Sequence, residues 1–96
     1  MDIREFQKLM LRIYGDRDLE RGVLKTALWL VEEVGELMAA VRDGDREKME
    51  VEFADVFAWL CSLANLVDID LEDVSIKRYR GQCPKCGHTP CRCPFR

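Results

Sequence analysis

The sequence predicts an all-α fold of four helices followed by a short cysteine-rich tail. Apolar residues recur at helical spacing in four segments, and capping residues or glycines stand at their ends. No segment before residue 81 alternates apolar and polar residues as a strand does. A chain of 96 residues has room for one small bundle, so we expect a helical domain at 1–80 and a tail at 81–96.

Caps and glycines set the expected bounds of the first two helices. Asp2 can cap a first helix that ends near Tyr14-Gly15-Asp16, and the charged segment RDLERG then reads as a link. The second helix is expected from about Val23 to Arg42, because Gly44 is a typical residue just after a helix end.

The last two helices are bounded in the same way. Asp45 can cap a third helix that reaches about Val67, and Asp70 can cap a fourth, LEDVSIKRYR, which Gly81 closes. The third helix is apolar almost all round from residue 53 onward, which is typical of a helix covered by more than one neighbour. In so small a chain, we expect part of that cover to come from another subunit.

Two pairs of carboxylates stand on the second and third helices. Glu33 and Glu36 lie in EEVGE, and Glu52 and Asp55 lie in EFAD. Residues three apart share a helix face, so each pair points in one direction, and both pairs sit among apolar neighbours. Converging acids require a cation, and hard oxygen ligands favour Mg²⁺ or Mn²⁺ over zinc.

These acids have two other interpretations. They could be solvated surface groups or salt-bridge partners, which is the usual role of a single helical Glu. A di-iron bundle would need Glu-x-x-His repeats, and the chain's single His lies in the tail.

A magnesium site of this kind suits phosphate chemistry. The metal binds phosphate oxygens, and one carboxylate can act as general base on the attacking water. The chain has no glycine-rich phosphate loop, so lysine or arginine must help to hold the phosphates. Lys48 and Lys77 are the candidates, although either could be a plain surface charge.

The acids also carry a family resemblance. EEVGE, then fifteen residues, then EFAD resembles the EExxE…ExxD signature of the MazG-like nucleotide pyrophosphohydrolases, part of the all-α NTP pyrophosphohydrolase superfamily. LWLVEEVGELMAAV resembles that family's second helix, and VEFADVFAWLCSLANLVDIDLEDV resembles its third helix and the start of the fourth. The resemblance covers roughly residues 1–80.

The resemblance implies a four-helix MazG-like bundle completed by oligomerisation, as a homodimer or homotetramer. It implies a house-cleaning hydrolase that converts nucleoside triphosphates and water to monophosphates and pyrophosphate with Mg²⁺. Its implied metal ligands are Glu33, Glu36, Glu52 and Asp55. The matching motif position makes Glu32 a supporting catalytic residue beside Glu33 and Glu36.

The resemblance also suggests residues that would contact the substrate. Lys77 loosely matches the basic residues of the family's fourth helix. The Asn expected there is missing, and Arg78 or Arg80 could substitute for it. Trp29 and Phe6 could contact the base, or could simply belong to the core.

The tail concentrates four of the five cysteines. Cys83-Pro-Lys-Cys86, four residues, and Cys91-Arg-Cys93 together supply the four thiolates of a structural zinc site. The second half is C-x-C instead of C-x-x-C, and His88 could replace one thiol. Unligated or redox-active thiols and disulfides are the alternatives, while Cys61 is expected to be core packing.

Charge and hydropathy limit the partners. Residues 1–76 carry all 18 acids and 9 bases, whereas residues 77–96 carry 6 bases and no acid. The acidic body argues against a general DNA-binding domain. The basic tail leaves open a rival hypothesis, a non-enzymatic helical dimer whose zinc knuckle binds nucleic acid or protein. We expect no membrane span and no signal peptide, and hence a cytoplasmic protein.

Overall fold

The computed structural model describes residues Met1–Arg96 and contains four α-helices and no strand. They are α1 (Ile3–Arg21), α2 (Val23–Asp43), α3 (Arg46–Leu66) and α4 (Leu71–Arg78). α3 packs against both α1 and α2, while α4 packs against α1. The all-α fold class predicted from the sequence is confirmed. None of the helices is both long enough and apolar enough to cross a membrane.

Capping hydrogen bonds confirm the predicted starts of α1, α3 and α4. In each case an aspartate carboxylate accepts a hydrogen bond from the backbone N–H three residues later, which satisfies one of the free donors of the first turn. The bonds run from Glu5 to Asp2 at 2.8 Å, from Lys48 to Asp45 at 3.2 Å and from Asp73 to Asp70 at 2.9 Å. Gly44 ends α2 in the left-handed conformation, at φ 66°.

α1 is longer than predicted, because it continues through Gly15 and ends at Arg21. A single glycine costs a helix interior only about 1 kcal/mol, and packing of the following turn can offset that cost. Asp18, in that turn, is only 2% exposed and accepts a hydrogen bond from Arg21 at 2.7 Å. The segment expected to be a link is therefore helix, and the chain turns at Gly22, where φ is 85°.

A buried glutamine fixes the turn between α3 and α4. The Gln7 side chain donates to Asn65 Oδ1 at 3.0 Å and to the carbonyl of Ile69 at 2.7 Å, and it accepts from the N–H of Leu71 at 2.9 Å. Asn65 in turn donates to the carbonyl of Gln7 at 3.1 Å. Because these groups satisfy one another, a polar side chain can occupy the α1–α3 contact without an unpaired donor.

The core of the single chain is small, since only 9 of 96 residues are buried. Its buried apolar members are Met10, Leu37, Ala40, Cys61 and Ala64. Phe53 of α3 is more than half exposed, so the two neighbouring helices do not cover α3 completely. This leaves more apolar surface in water than one small domain usually tolerates.

The longest run of that surface lies on α2. Leu24, Leu28, Val31 and Met38 recur at steps of four, three and seven residues and are 53–81% exposed. This spacing places them on one face of α2, which we call the outer stripe. The outer stripe lies on the opposite side of α2 from the buried side chains of Thr26 and Leu37.

Replacing Arg21 with Ala should destabilise the fold by about 3 kcal/mol, because Asp18 would keep a buried charge without its partner. Chemical denaturation followed by circular dichroism measures the change. Arg12→Ala, on the same helix but without an ion pair, is the matched control and should change stability by less than about 0.5 kcal/mol. Equal effects of the two substitutions would contradict the role given to Arg21.

Candidate functional site

Three of the four predicted acids meet between α2 and α3. Glu33 and Glu36 project from one face of α2, and Glu52 approaches them from α3. One carboxylate oxygen of each residue lies within 4.8 Å of the other two. Glu33 and Glu52 are partly buried and Glu36 is exposed, so the group is open on one side.

The charges of these acids are not neutralised by the protein. No lysine or arginine forms an ion pair with any of the three. The Oε2 atoms of Glu33 and Glu52 are buried and lack a hydrogen-bond partner. Burial, together with the charges of Glu36, Asp55 and Glu52, raises the pKa of Glu33. Orphaned carboxylate oxygens that repel one another are what a bound cation would relieve, so these residues fit a divalent metal.

Asp55 and Glu32 lie outside this group of three. Asp55 is exposed, yet its charge contributes to the raised pKa of Glu33, so it lies close to the group. Glu32 is exposed and lines a small cavity with Trp29 and Lys25. The structure thus brings Asp55 to the edge of the site and leaves Glu32 beside it on the solvent side.

The two candidate lysines occupy different surroundings. Lys48 lines a cavity of about 520 Å³ whose wall also includes Glu36 and Glu52. Lys77 is on α4 and forms an ion pair with Asp73 at 3.2 Å. Only Lys48 therefore shares a cavity with the acids.

The aromatic candidates pack against other rings. Trp29 stacks on Trp59 with 6.0 Å between ring centroids, and Phe6 stacks on Phe57 at 5.1 Å. Trp59 lines a second cavity, of about 140 Å³, together with Asp55. Trp59, which the sequence pattern did not single out as a site residue, thus shares a cavity with one of the predicted acids.

Sequence reasoning also missed Asp18 and Arg21, which line the same cavity as Trp59. The Arg21 guanidinium lies 4.7 Å from the Trp59 ring centroid, and the Oδ2 atom of Asp18 is buried without a partner. Both residues fell in the segment read as a link. Their spacing of three, which suits an ion pair on a helix, was the available signal.

The four tail cysteines form a second group of possible metal ligands, which includes none of the acids. The Sγ atoms of Cys83, Cys86, Cys91 and Cys93 all lie within 4.8 Å of one another, and the His88 side chain is not part of the group. Cys61 is fully buried in α3, where burial raises the pKa of its thiol to about 11. It is therefore an inert core residue, as the sequence predicts.

Comparison with known proteins identifies the family. A family model described as the MazG nucleotide pyrophosphohydrolase domain matches residues 21–87, more than half of the chain. The match includes all the predicted carboxylate ligands and ends before Cys91. A search of curated proteins found no significant match. With the all-α fold and the carboxylate group between α2 and α3, the match shows that this chain belongs to the MazG nucleotide pyrophosphohydrolase domain family.

Proposed function

We propose that this protein is a Mg²⁺-dependent nucleoside triphosphate pyrophosphohydrolase that releases monophosphate and pyrophosphate and serves in nucleotide house-cleaning. Family membership supports nucleotide pyrophosphohydrolase activity in general. The observation that carries the finer proposal is the group formed by Glu33, Glu36 and Glu52, which has two orphaned oxygens and no basic partner. A nucleoside triphosphate is strongly anionic, so it can bind beside these carboxylates only when a cation is present.

The residues that would hold Mg²⁺, or Mn²⁺, are Glu33, Glu36 and Glu52, with Asp55 at the edge. All four offer oxygen ligands, which suit these hard cations. When bound, the metal would neutralise phosphate charge and lower the pKa of a bound water. Without a cation, the same four carboxylates would repel the substrate.

Proton transfer and the rest of the charge neutralisation are carried out by the protein's own side chains. One carboxylate of the group accepts the proton of the water that attacks the α-phosphorus. The bond between the α-phosphorus and the oxygen that bridges it to the β-phosphorus breaks, and pyrophosphate leaves with that oxygen. Lys48 stands in the wall of the large cavity, where its ammonium group can neutralise the leaving phosphates. A contribution from Lys77 would require its ion pair with Asp73 to open, and Glu32 would act from the solvent side.

We assign the nucleobase to the cavity that adjoins Asp55. Trp59 lies in its wall, stacks on Trp29 and has the Arg21 guanidinium over its ring, so these neighbours fix an aromatic side chain beside Asp55. Asp18 adds a buried oxygen that can accept a hydrogen bond from a base amino or imino group. Trp29 would then act by supporting Trp59 instead of contacting the base.

We also propose that the functional protein is a homo-oligomer, either a dimer or a tetramer. The outer stripe of α2 exposes four large apolar side chains, and the single chain buries few residues. A second copy is the occupant that would cover this stripe while completing the bundle.

Product analysis tests the reaction. The purified protein is incubated with a panel of ribo- and deoxyribonucleoside triphosphates, either with Mg²⁺ or with a chelator, and the products are separated. We expect monophosphate and pyrophosphate only when the metal is present. Diphosphate and orthophosphate would indicate a different bond cleavage, and no turnover of any nucleotide would favour the binding-module hypothesis for the tail.

A further inference from the structure

The cysteine-rich tail contains a second group of possible metal ligands, separate from the carboxylate group. We propose that Cys83, Cys86, Cys91 and Cys93 bind one zinc ion as a closed, structural four-thiolate site. The inference does not depend on the proposed hydrolase activity. The family match ends at residue 87, so half of these ligands lie outside it.

The sulfur positions fit the geometry of tetrahedral zinc. Zinc–thiolate bonds are about 2.3 Å long, so two sulfurs of a regular tetrahedron lie roughly 3.8 Å apart. Cys83 Sγ lies 3.7 Å from Cys93 Sγ, and Cys86 Sγ lies 3.9 Å from Cys91 Sγ. All four sulfurs are within 4.8 Å of one another, so one ion can reach all of them.

Backbone N–H groups are directed at the sulfurs, as thiolate ligands require. The N–H of Arg92 donates to Cys86 Sγ at 3.3 Å, and the N–H of Cys93 donates to Cys91 Sγ at 3.3 Å. The first half closes as a tight turn, since the N–H of Gly87 donates to the carbonyl of Cys83 at 2.8 Å. The N–H groups of Arg92 and Cys93, which donate to sulfur, would offset the negative charge of metal-bound thiolates and orient them.

Nothing else in the tail accounts for its order. No residue between 83 and 96 is buried, and the side-chain and backbone hydrogen bonds of 83–93 stay within residues 81–93. No ion pair ties the tail to the helices. A segment that buries no core needs a cross-link to hold one conformation, and its four cysteines can provide one by binding a structural metal or by forming disulfides.

The arrangement favours zinc over the other fates of four thiols. All four sulfurs converge on one point, whereas two disulfides would need only separate pairs. Four protein ligands also leave no open position, which is typical of structural and not catalytic zinc. His88 stays outside the sulfur group and is not needed as a ligand.

The test uses the full-length protein, purified under reducing conditions and analysed for metal by mass spectrometry. We expect one zinc per chain, released stoichiometrically when a mercurial reagent titrates the thiols. Replacing zinc with Co²⁺ should give a thiolate-to-cobalt charge-transfer band, which carboxylate ligands cannot produce. Reduced protein that neither retains nor takes up zinc would overturn the proposal. A count of one free thiol in unreduced, denatured protein would also overturn it, because four of the five cysteines would then form disulfides.

Matched variants assign the ligands. Cys83→Ser and Cys91→Ser should each lower zinc affinity more than about 100-fold, because each removes a ligand instead of a supporting contact. Cys61→Ala, His88→Ala and Glu52→Gln should keep one zinc per chain, since none of these side chains belongs to the sulfur group. Retention of zinc by both serine variants, or its loss from Glu52→Gln, would place the metal elsewhere and contradict the assignment.

Discussion

Replacing Glu33 or Glu52 with Gln should lower kcat/KM for the best nucleotide by at least about 1,000-fold while preserving the helical fold. Each substitution removes a charge from the group that is proposed to hold Mg²⁺. Metal stabilisation of developing phosphate charge is worth several kcal/mol, and each 1.4 kcal/mol is a factor of ten in rate. The amide is nearly isosteric with the carboxylate, so packing between α2 and α3 should persist.

The measurement is initial-rate kinetics at saturating Mg²⁺, with circular dichroism to verify folding. Glu50→Gln is the matched control, because Glu50 is an exposed acid on the same helix as Glu52 and pairs with Arg46. It should leave kcat/KM unchanged within about twofold. Wild-type rates in both the Glu33 and Glu52 variants would remove these residues from the metal site.

The Glu33→Gln variant gives a second readout with the opposite sign. Because burial and neighbouring acids raise the pKa of Glu33, its ionised form costs stability in metal-free protein. The cost is absent below the ordinary pKa of 4.5, increases as the pH rises from there to the raised pKa, and is constant above it. With chelator at pH 7, Glu33→Gln should therefore have a higher Tm than the wild type. Added Mg²⁺ should stabilise the wild type more than the variant.

The fold was predictable wherever one local signal decided it. Asp2, Asp45 and Asp70 each cap a helix as expected, because a side-chain acceptor before an apolar periodic segment is satisfied within one turn. The predicted end of α1 was wrong because the position of that end depends on tertiary contacts. Asp18 is buried and paired with Arg21 in the turn beyond Gly15. Their spacing of three permits that ion pair on a helix, but it does not reveal that Asp18 is buried.

The candidate site was predictable to the level of its helix faces. Spacing of three places Glu33 beside Glu36, and two facing helices bring Glu52 to them. Spacing alone could not separate Asp55, at the edge, from the other three, because that depends on how far α3 is rotated about its axis. The position of Trp59 beside Asp55, and of Lys48 in the large cavity, likewise follows from packing.

Replacing Leu28 with Glu should dissociate the proposed oligomer and raise its dissociation constant by at least about 1,000-fold. Leu28 lies at the centre of the outer stripe and is 69% exposed in the single chain. Burying a leucine contributes about 2 kcal/mol, and burying an unpaired carboxylate costs several more. An isologous interface carries the substitution twice, so the effect is doubled.

Analytical ultracentrifugation across a range of protein concentrations measures the dissociation. Leu19→Glu is the matched control, because Leu19 is a similarly exposed leucine, at 74%, but lies on α1 outside the outer stripe. If the stripe is the interface, Leu28→Glu should be monomeric and lose Tm, while Leu19→Glu should behave as the wild type. A monomeric wild type would refute the assembly itself, and dissociation by Leu19→Glu alone would move the interface to α1. Because the stripe lies away from the carboxylate group, activity lost on dissociation would mean that a partner subunit completes the site.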